Sequence, residues 1–389
     1  MSLGAKLAED YRTLFGEEWP AWVGGLAIGF LNVFLFVFYQ PWTTLDGILN
    51  WGSWLWGSVG VGGVRADSVS PLLRSGSVVN LGRLFGAFAA ALLAGQFALR
   101  VGPKRELAKG LVGGLFLGTG AAVARGCNIG GFFSSTAALA ASGIAMAVGL
   151  AIGAFLATRY LLWEAERTTS FAAAPVSGPR SERSPWRQPV FGLVAMAALV
   201  AAAIWYAVTG FADRSVILLL GVVLGVVSQR SRVCFVQAFR EPFLTGDTRH
   251  TRAMLLALAV SIVGFAIVKS VIDTKADDFV RPTFWIGAVL GGTIFGFGMV
   301  LAGGCGAGAI WRAGEGHVKL WLVVLAYVGS AILVSEWLRR SGLATQLGQS
   351  VFLPDQLGWI GSLAFLALLR VGWYVFARWN EASRRLVAI

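Results

Sequence analysis

The chain has 389 residues, of which 56% are hydrophobic and only 13% are charged, and its mean hydropathy is +0.70. A soluble domain of this length needs far more charge to cover its surface, so the composition excludes that class and indicates a membrane protein. The net charge of +12 does not point to nucleic acid, because the Lys and Arg residues lie in short loops between apolar segments.

Two further features limit the chemistry. The first 20 residues are polar and charged, with no apolar core before Trp22, so we expect no cleavable signal peptide. Three cysteines form neither a disulfide framework nor a CxxC pair, and His250 and His317 fall in predicted polar loops. We therefore expect no metal site and no cofactor.

Ten apolar stretches are suited to crossing a bilayer. The Gly- and Trp-rich segment 47–64 suits an interfacial or partly inserted hairpin better than a full crossing. The sequence thus predicts an all-α polytopic membrane protein with ten spans, at residues 21–40, 79–99, 108–125, 131–160, 189–210, 216–236, 252–274, 283–302, 318–338 and 357–377.

The distribution of positive charge predicts the orientation of these spans. With a cytoplasmic N-terminus, the inside segments hold 21 of the 32 Lys and Arg residues and the outside segments hold 8. Arg125, Lys269 and Arg370 fall within or beside spans, and Arg339-Arg340 is the only poor fit. We therefore predict a multi-pass inner-membrane protein whose two termini are cytoplasmic.

The chain divides into two halves. Residues 164–188 are rich in Pro, Ser, Ala and Arg, which is typical of a flexible linker, here on the cytoplasmic side. The linker would separate a first transmembrane repeat, residues 1–163, from a second repeat with its linking and terminal helices, residues 189–389.

The halves carry an internal repeat. GLAIG (25–29) recurs as GVVLG (221–225), and GLVGGLFLGTGAAVARGCNIGGF (110–132) aligns with IGAVLGGTIFGFGMVLAGGCGAGAI (286–310). Aligning the repeat heads places Phe38 opposite Cys234. In the predicted topology the matched spans run in opposite directions. Such inverted repeats place a solute site near the midplane, where short broken or re-entrant helices meet.

Cys127 and Cys305 occupy matched places in this repeat. Glycines beside each cysteine favour a break in the helix, and the N–H groups of a helix that begins there can bind an anion. A thiol adds a polarizable contact that suits a soft sulfur-bearing anion better than sulfate or chloride. Cys234, taken alone, is better explained as a small apolar side chain that fills space than as a binding residue. The candidate substrate-binding residues are Cys127, Cys234, Cys305, Arg125, Gly126, Asn128, Gly304 and Gly306.

Charged residues near the cysteines have two readings each. Arg125 either binds an anion at the end of its span or extends to the membrane interface. Four others are expected in cytoplasmic loops, where they provide topology charge or gate and guide an anion: Arg230, Arg232, Arg312 and Glu315.

Three motifs carry a resemblance to a known family: RGCNIGGFF (125–133), SQRSRVCFVQAFREPFLTGDT (228–248) and VLAGGCGAGAIWRAGEGHV (300–318). With them, nearly the whole chain resembles the YeeE/YedE family of membrane proteins. The resemblance implies uptake of thiosulfate or a related sulfur compound. It also implies a two-fold, hourglass-shaped body in which thiosulfate passes between Cys127, Cys234 and Cys305 by transient S–H hydrogen bonds.

Alternatives to thiosulfate uptake stay open at this point. The long form also resembles the branch linked to selenium metabolism, which makes a selenium-containing solute the second candidate. A membrane sulfurtransferase with a persulfide cysteine is a different class. No ATP-binding P-loop is present, and we predict a transporter rather than an enzyme. By resemblance alone, a cytoplasmic sulfur carrier of the TusA type is a partner.

Overall fold

The computed structural model describes residues 9, 11–65, 67–167, 187–272 and 278–387. In this part of the chain, ten helical segments are long and apolar enough to cross a membrane, which confirms the predicted all-α polytopic class. The helices are α1 (Ala21–Phe38), α2 (Leu45–Gly57), α3 (Ser75–Leu93), α4 (Lys104–Val123), α5 (Ser134–Ala137), α6 (Ala141–Arg167), α7 (Arg187–Val208), α8 (Ala212–Ser231), α9 (Phe235–Leu244), α10 (Arg249–Val271), α11 (Ile286–Ala302), α12 (Gly306–Gly314), α13 (Val318–Arg340) and α14 (Leu353–Ser383).

The glycine-rich spans α4 and α11 cross at close range and run antiparallel. Gly113 lies against Ala302, while Gly120, seven residues later on α4, lies against Phe295 and Gly291, earlier on α11. Small residues permit this approach, because any side chain would meet the backbone of the opposite helix. The two matched spans therefore run in opposite directions, as expected for an inverted repeat.

The remaining helices follow the same two-fold relation. Helix α1 of the first half packs parallel to α10 of the second, with Gly25 against Ala253. Helix α8 of the second half packs parallel to α3 of the first, with Gly221 against Val79. Likewise α13 packs on α4 as α6 packs on α11. Each half thus buries its apolar faces on the other half, and the region between them is enclosed by both.

Two long helices lie outside the repeat. α7 packs on α3 and α8, and α14 packs mainly on α10. Both present exposed large apolar side chains outward, as spans facing lipid do. The predicted linker joins α6 to α7, and its residues 168–186 lie outside the described residues.

The Trp-rich segment does not form a crossing. α2 has 13 residues, about 20 Å of helix, whereas the hydrocarbon core is about 30 Å thick. It packs on α3 and α13 and is followed by a single 3-10 turn, Val61–Gly63. This arrangement agrees with a partly inserted segment.

One end of the bundle holds both ends of the described chain. The N–H of Trp19 donates to the carbonyl of Arg230 (2.9 Å), and the Nδ2 of Asn380 donates to the carbonyl of Pro242 (2.7 Å). We call this the termini end; the opposite, far end carries Arg125. One expectation is wrong here. His250 is not in a polar loop but is buried in the first turn of α10, because that helix begins at Arg249, ahead of the predicted span.

The contact between α4 and α11 makes a direct prediction. A Cβ on Gly120 would lie 2.5 Å from the backbone nitrogen of Phe295, so Gly120→Val must push two spans apart. We expect the free energy of unfolding to fall by about 1–3 kcal/mol or more. This loss would be seen as a lower melting temperature and less monodisperse protein on size exclusion. Gly372→Ala on α14 is the control, because nothing lies within 4 Å of its added Cβ. Equal behaviour of the two variants would contradict the close crossing.

Candidate functional site

Two helices are interrupted at matched positions inside the protein. After α4, the chain turns through Arg125, whose φ is +49°, to Cys127 and then a π-helical turn, Asn128–Phe133, which leads into α5. After α11, it turns through Gly303, whose φ is +75°, to Cys305 and then α12. A helix therefore begins directly after each of these cysteines, as the glycine-flanked motifs predict.

The thiols cap these new helices. The N–H of Gly130 donates to the Sγ of Cys127 (3.4 Å), and the N–H of Gly308 donates to the Sγ of Cys305 (3.2 Å). Sulfur here takes the place that a Ser or Asp oxygen holds at an ordinary N-terminus. The two residues are 0% and 1% exposed, so both thiols are closed off from solvent. Access to either requires side chains to move.

Cys234 lies next to Cys305. It precedes α9, and a Cβ added to Gly308 would lie 3.0 Å from the Sγ of Cys234 and 3.2 Å from the Sγ of Cys305. Two of the three thiols are thus immediate neighbours. The second half of the chain supplies both.

The first half has a hydroxyl where the second has Cys234. A Cβ added to Gly130 would collide with the Oγ1 of Thr43, as one on Gly308 would meet Cys234. Phe38, which the repeat-head alignment places opposite Cys234, is the last residue of α1 and is 55% exposed. The alignment slips because the connection between α1 and α2 is longer than that between α8 and α9.

Several polar groups around the thiols have no hydrogen-bond partner in the described part of the protein. Both side-chain polar atoms of Asn128 are buried and unpaired. The ring of Tyr327 on α13 lies beside Gly306, and its hydroxyl is within hydrogen-bonding reach of the thiol of Cys127. Buried polar groups normally find partners, so orphaned ones are typical of a site that receives a ligand or water.

A buried arginine, missed from the sequence, joins this group. The predicted span began at residue 79 and left Arg83 at its outer edge, but α3 begins at Ser75, so the side chain is 3% exposed. Its Nη2 donates to the Oγ of Ser228 (3.2 Å), and its guanidinium lies 4.6 Å from the ring centroid of Trp42. An arginine between glycines in an apolar run is the signal that could have found it.

The termini end carries a charged cluster built on Glu315. Arg232 forms an ion pair with Glu315, and Gln229 donates to the same carboxylate (3.0 Å). The Nη2 of Arg232 also donates to the Oε1 of Gln96 (2.8 Å).

Three of the charges expected in open loops are not there. Arg230 lies in the last turn of α8, Arg312 lies in the last turn of α12, and Glu315 directly follows α12. Arg230 and Glu315 are buried because these helix ends are covered by the other half.

This cluster borders an open cavity of about 850 Å³. Arg312 donates to the carbonyl of Gly303 (2.9 Å) and lines the cavity together with Arg232, Arg249 and Arg252. Glu18 is the acidic residue of the lining. The excess of arginine makes this cavity attractive to an anion.

His317 adds no charge to the cluster at neutral pH. Burial, followed by the neighbouring Arg100, Arg312 and Arg232, lowers the pKa of His317 to about 4. Glu315 lies 3.8 Å away but is already held by Arg232 and Gln229. The positive charge at this end therefore comes from arginine and does not vary near pH 7.

Arg125 lies at the far end, apart from the termini-end cluster. Its Nη2 donates to the carbonyl of Ala344 (3.3 Å), and its own carbonyl accepts from the guanidinium of Arg281. Arg281 stacks at 4.2 Å on Phe279, whose ring reaches toward Gly130. The predicted residues thus form three groups: Arg125 at the far end, the thiols within, and the Glu315 cluster at the termini end.

Comparisons with known proteins match this chain to membrane transport proteins. The family described as sulphur transport matches residues 5–156 and 230–388. The chain is 32% identical over 337 residues to the probable transporter YedE of Escherichia coli (strain K12), covering 80% of each protein. It is 29% identical over 382 residues to the YedE of Salmonella typhimurium, covering 92% of this chain and 91% of the relative. To the thiosulfate transporter TsuA of Escherichia coli it is 39% identical over 136 residues, 34% of this chain and 36% of the relative.

Proposed function

The chain belongs to the sulphur transport (YeeE/YedE) family, and from that premise we propose that it carries thiosulfate across the membrane along its three cysteines. The observation that carries the proposal is the pair of thiol-capped helix N-termini at Cys127 and Cys305, set among unpaired polar groups. The family and the named relatives are transporters, which favours transport over the sulfurtransferase alternative.

Thiosulfate has two chemically different ends that match this site. Its three oxygens accept strong hydrogen bonds, which the first N–H groups of the helices after Cys127 and Cys305 provide. Its terminal sulfur is large and polarizable and suits contact with thiols, which are weak donors. Sulfate offers only the first kind of contact.

The proposed route joins the three groups of residues in order. The anion enters by Arg125 at the far end, meets Cys127, passes to Cys305 and Cys234, and leaves through the cavity lined by arginines. Because the thiols are buried, both ends must open in turn. Arg232 lines that cavity and forms an ion pair with Glu315, and this pair is the proposed closure at the termini end.

A selenium-containing anion is the second candidate. The similarity to TsuA covers about a third of this chain, whereas the similarity to the two YedE proteins, whose names state no substrate, covers 80% and 92%. A selenium atom in place of the terminal sulfur would meet the same thiols and the same N–H groups. The competition measurement below separates the two candidates.

The proposed orientation places the termini end on the cytoplasmic side of the inner membrane. The predicted excess of Lys and Arg on the inside, 21 against 8, coincides with the end at which Trp19 and Asn380 are found. Release of substrate there would put it within reach of a cytoplasmic sulfur carrier of the TusA type, a partner that only the resemblance suggests.

Removing the thiols should stop transport without unfolding the protein. We expect Cys127→Ser and Cys305→Ser to lower thiosulfate uptake into proteoliposomes by roughly ten-fold or more, because a hydroxyl keeps the helix cap but loses the polarizable contact. Ser270→Ala, an exposed change of similar size at the end of α10, is the control. If the serine variants transport at the wild-type rate, the thiols only fill space and the proposed thiol contacts are wrong.

Selectivity gives a second test. A few thiol contacts of about 1 kcal/mol each should make sulfate at least roughly ten-fold weaker than thiosulfate in competing for labelled thiosulfate uptake. Sulfite and selenosulfate complete the series. Equal competition by sulfate would show that the site does not recognise the terminal sulfur and would contradict the proposed thiol contacts. Much stronger competition by selenosulfate would favour the selenium candidate.

The orientation has its own measurement. We expect Ser181→Cys, within the predicted linker, to resist an impermeant thiol reagent in intact cells and to react after lysis. The wild-type protein, with its three buried thiols, sets the background. Labelling of Ser181→Cys from outside would reverse the proposed topology.

A further inference from the structure

We propose that Arg83 is the residue that binds the negative charge of the transported anion between Cys127 and the pair formed by Cys305 and Cys234. This inference rests on the proposed function and names the group that the three thiols lack, a fixed positive charge. It goes beyond the cysteine relay, because thiols alone do not compensate the charge of an anion inside a membrane.

Arg83 has no acidic side chain as a counter-ion in the described part of the chain. Among the described residues, the ionisable groups that act on its guanidinium are Cys305, Cys234 and Cys127, and no carboxylate is among them. By contrast, Arg232 is paired with Glu315 and Arg74 with Asp46. A buried charge without a partner is strongly unfavourable, so its retention points to an anion that supplies the partner.

The side chain of Arg83 is fixed in place while two of its donor nitrogens remain unused. Ser228 accepts from Nη2, and Trp42 lies against the guanidinium, so the group is fixed in place. Nε and Nη1 are buried and find no acceptor within the described structure. A fixed guanidinium with unused N–H groups matches the oxygens of a sulfonate-like end.

Arg83 lies on a helix that packs against the helix capped by Cys305. α12, which Cys305 caps, packs on α3, with Gly314 against the carbonyl of Leu84. The charge of Arg83 therefore lies beside the helix that begins at Cys305, and it also interacts electrostatically with Cys234 and Cys127. With oxygens on Arg83, a terminal sulfur is free to contact a cysteine.

The two-fold counterpart of Arg83 carries no charge. Gly225 lies against Arg83 as Gly29 lies against Ala257, so Ala257 is the counterpart of Arg83 in the second half. One arginine serves both thiol-capped breaks. This arrangement fits a single anion handed between two similar positions better than two anions bound at once.

The test compares Arg83→Gln and Arg83→Lys with the wild type, each purified in detergent. Melting temperature is measured without ligand and during titration with thiosulfate. We expect Arg83→Gln to melt at or above the wild-type temperature without ligand, because an uncompensated charge is removed. Its apparent affinity for thiosulfate should fall by roughly 30-fold or more, as for loss of one partner of a buried charge pair. Arg83→Lys should recover part of that affinity.

A bracing role for Arg83 predicts a different pattern. Loss of the Ser228 and Trp42 contacts would then lower the melting temperature without ligand and leave thiosulfate affinity near the wild-type value, which would overturn the proposal. Arg159→Gln, an exposed change on α6, is the control and should alter neither reading. A wild-type protein that thiosulfate fails to stabilise would contradict the proposed substrate. The ligand-free comparison would still decide whether Arg83 is an uncompensated charge.

Discussion

A helix that breaks inside a bilayer leaves N–H and C=O groups with no water to satisfy them, and this constraint governs the rest of the structure. Each unsatisfied group costs roughly 1–3 kcal/mol, so a broken helix persists only where protein or ligand covers it. Here two breaks are covered in the same way. A cysteine caps the new helix, with Gly130 donating to Cys127 and Gly308 to Cys305, and the opposite half of the chain closes over it.

The glycines make that closure possible. Without side chains at Gly113, Gly120 and Gly291, α4 and α11 approach until their backbones touch, and the breaks that follow them come within reach of common groups. Tyr327 lies near both Cys127 and Cys305, and Arg83 acts on all three thiols. The candidate site is therefore a property of the interface between the halves. Neither half could form it alone.

Much of the fold could be predicted from the sequence, because local composition and the internal repeat indicate the spans, their opposed directions and the helix breaks. The glycines beside Cys127 and Cys305 predicted the helix breaks, but not that each thiol caps the helix that follows. Arg83 was missed, since a helix start displaced by four residues turned a buried cation into an apparent interface charge. Thr43 was missed for a related reason: a loop of different length broke the alignment with Cys234. Burial of Glu315 depends on contacts between halves, which no local pattern encodes.

The central claim is that the transported anion meets the thiols with its soft end. The most direct measurement is a structure of the protein with selenosulfate, in which the selenium atom is located by its anomalous scattering. We expect a selenium peak in van der Waals contact with the Sγ of Cys127 or Cys305 and oxygen density toward Arg83. A peak confined to the arginine-lined cavity at the termini end, with nothing beside either thiol, would contradict it.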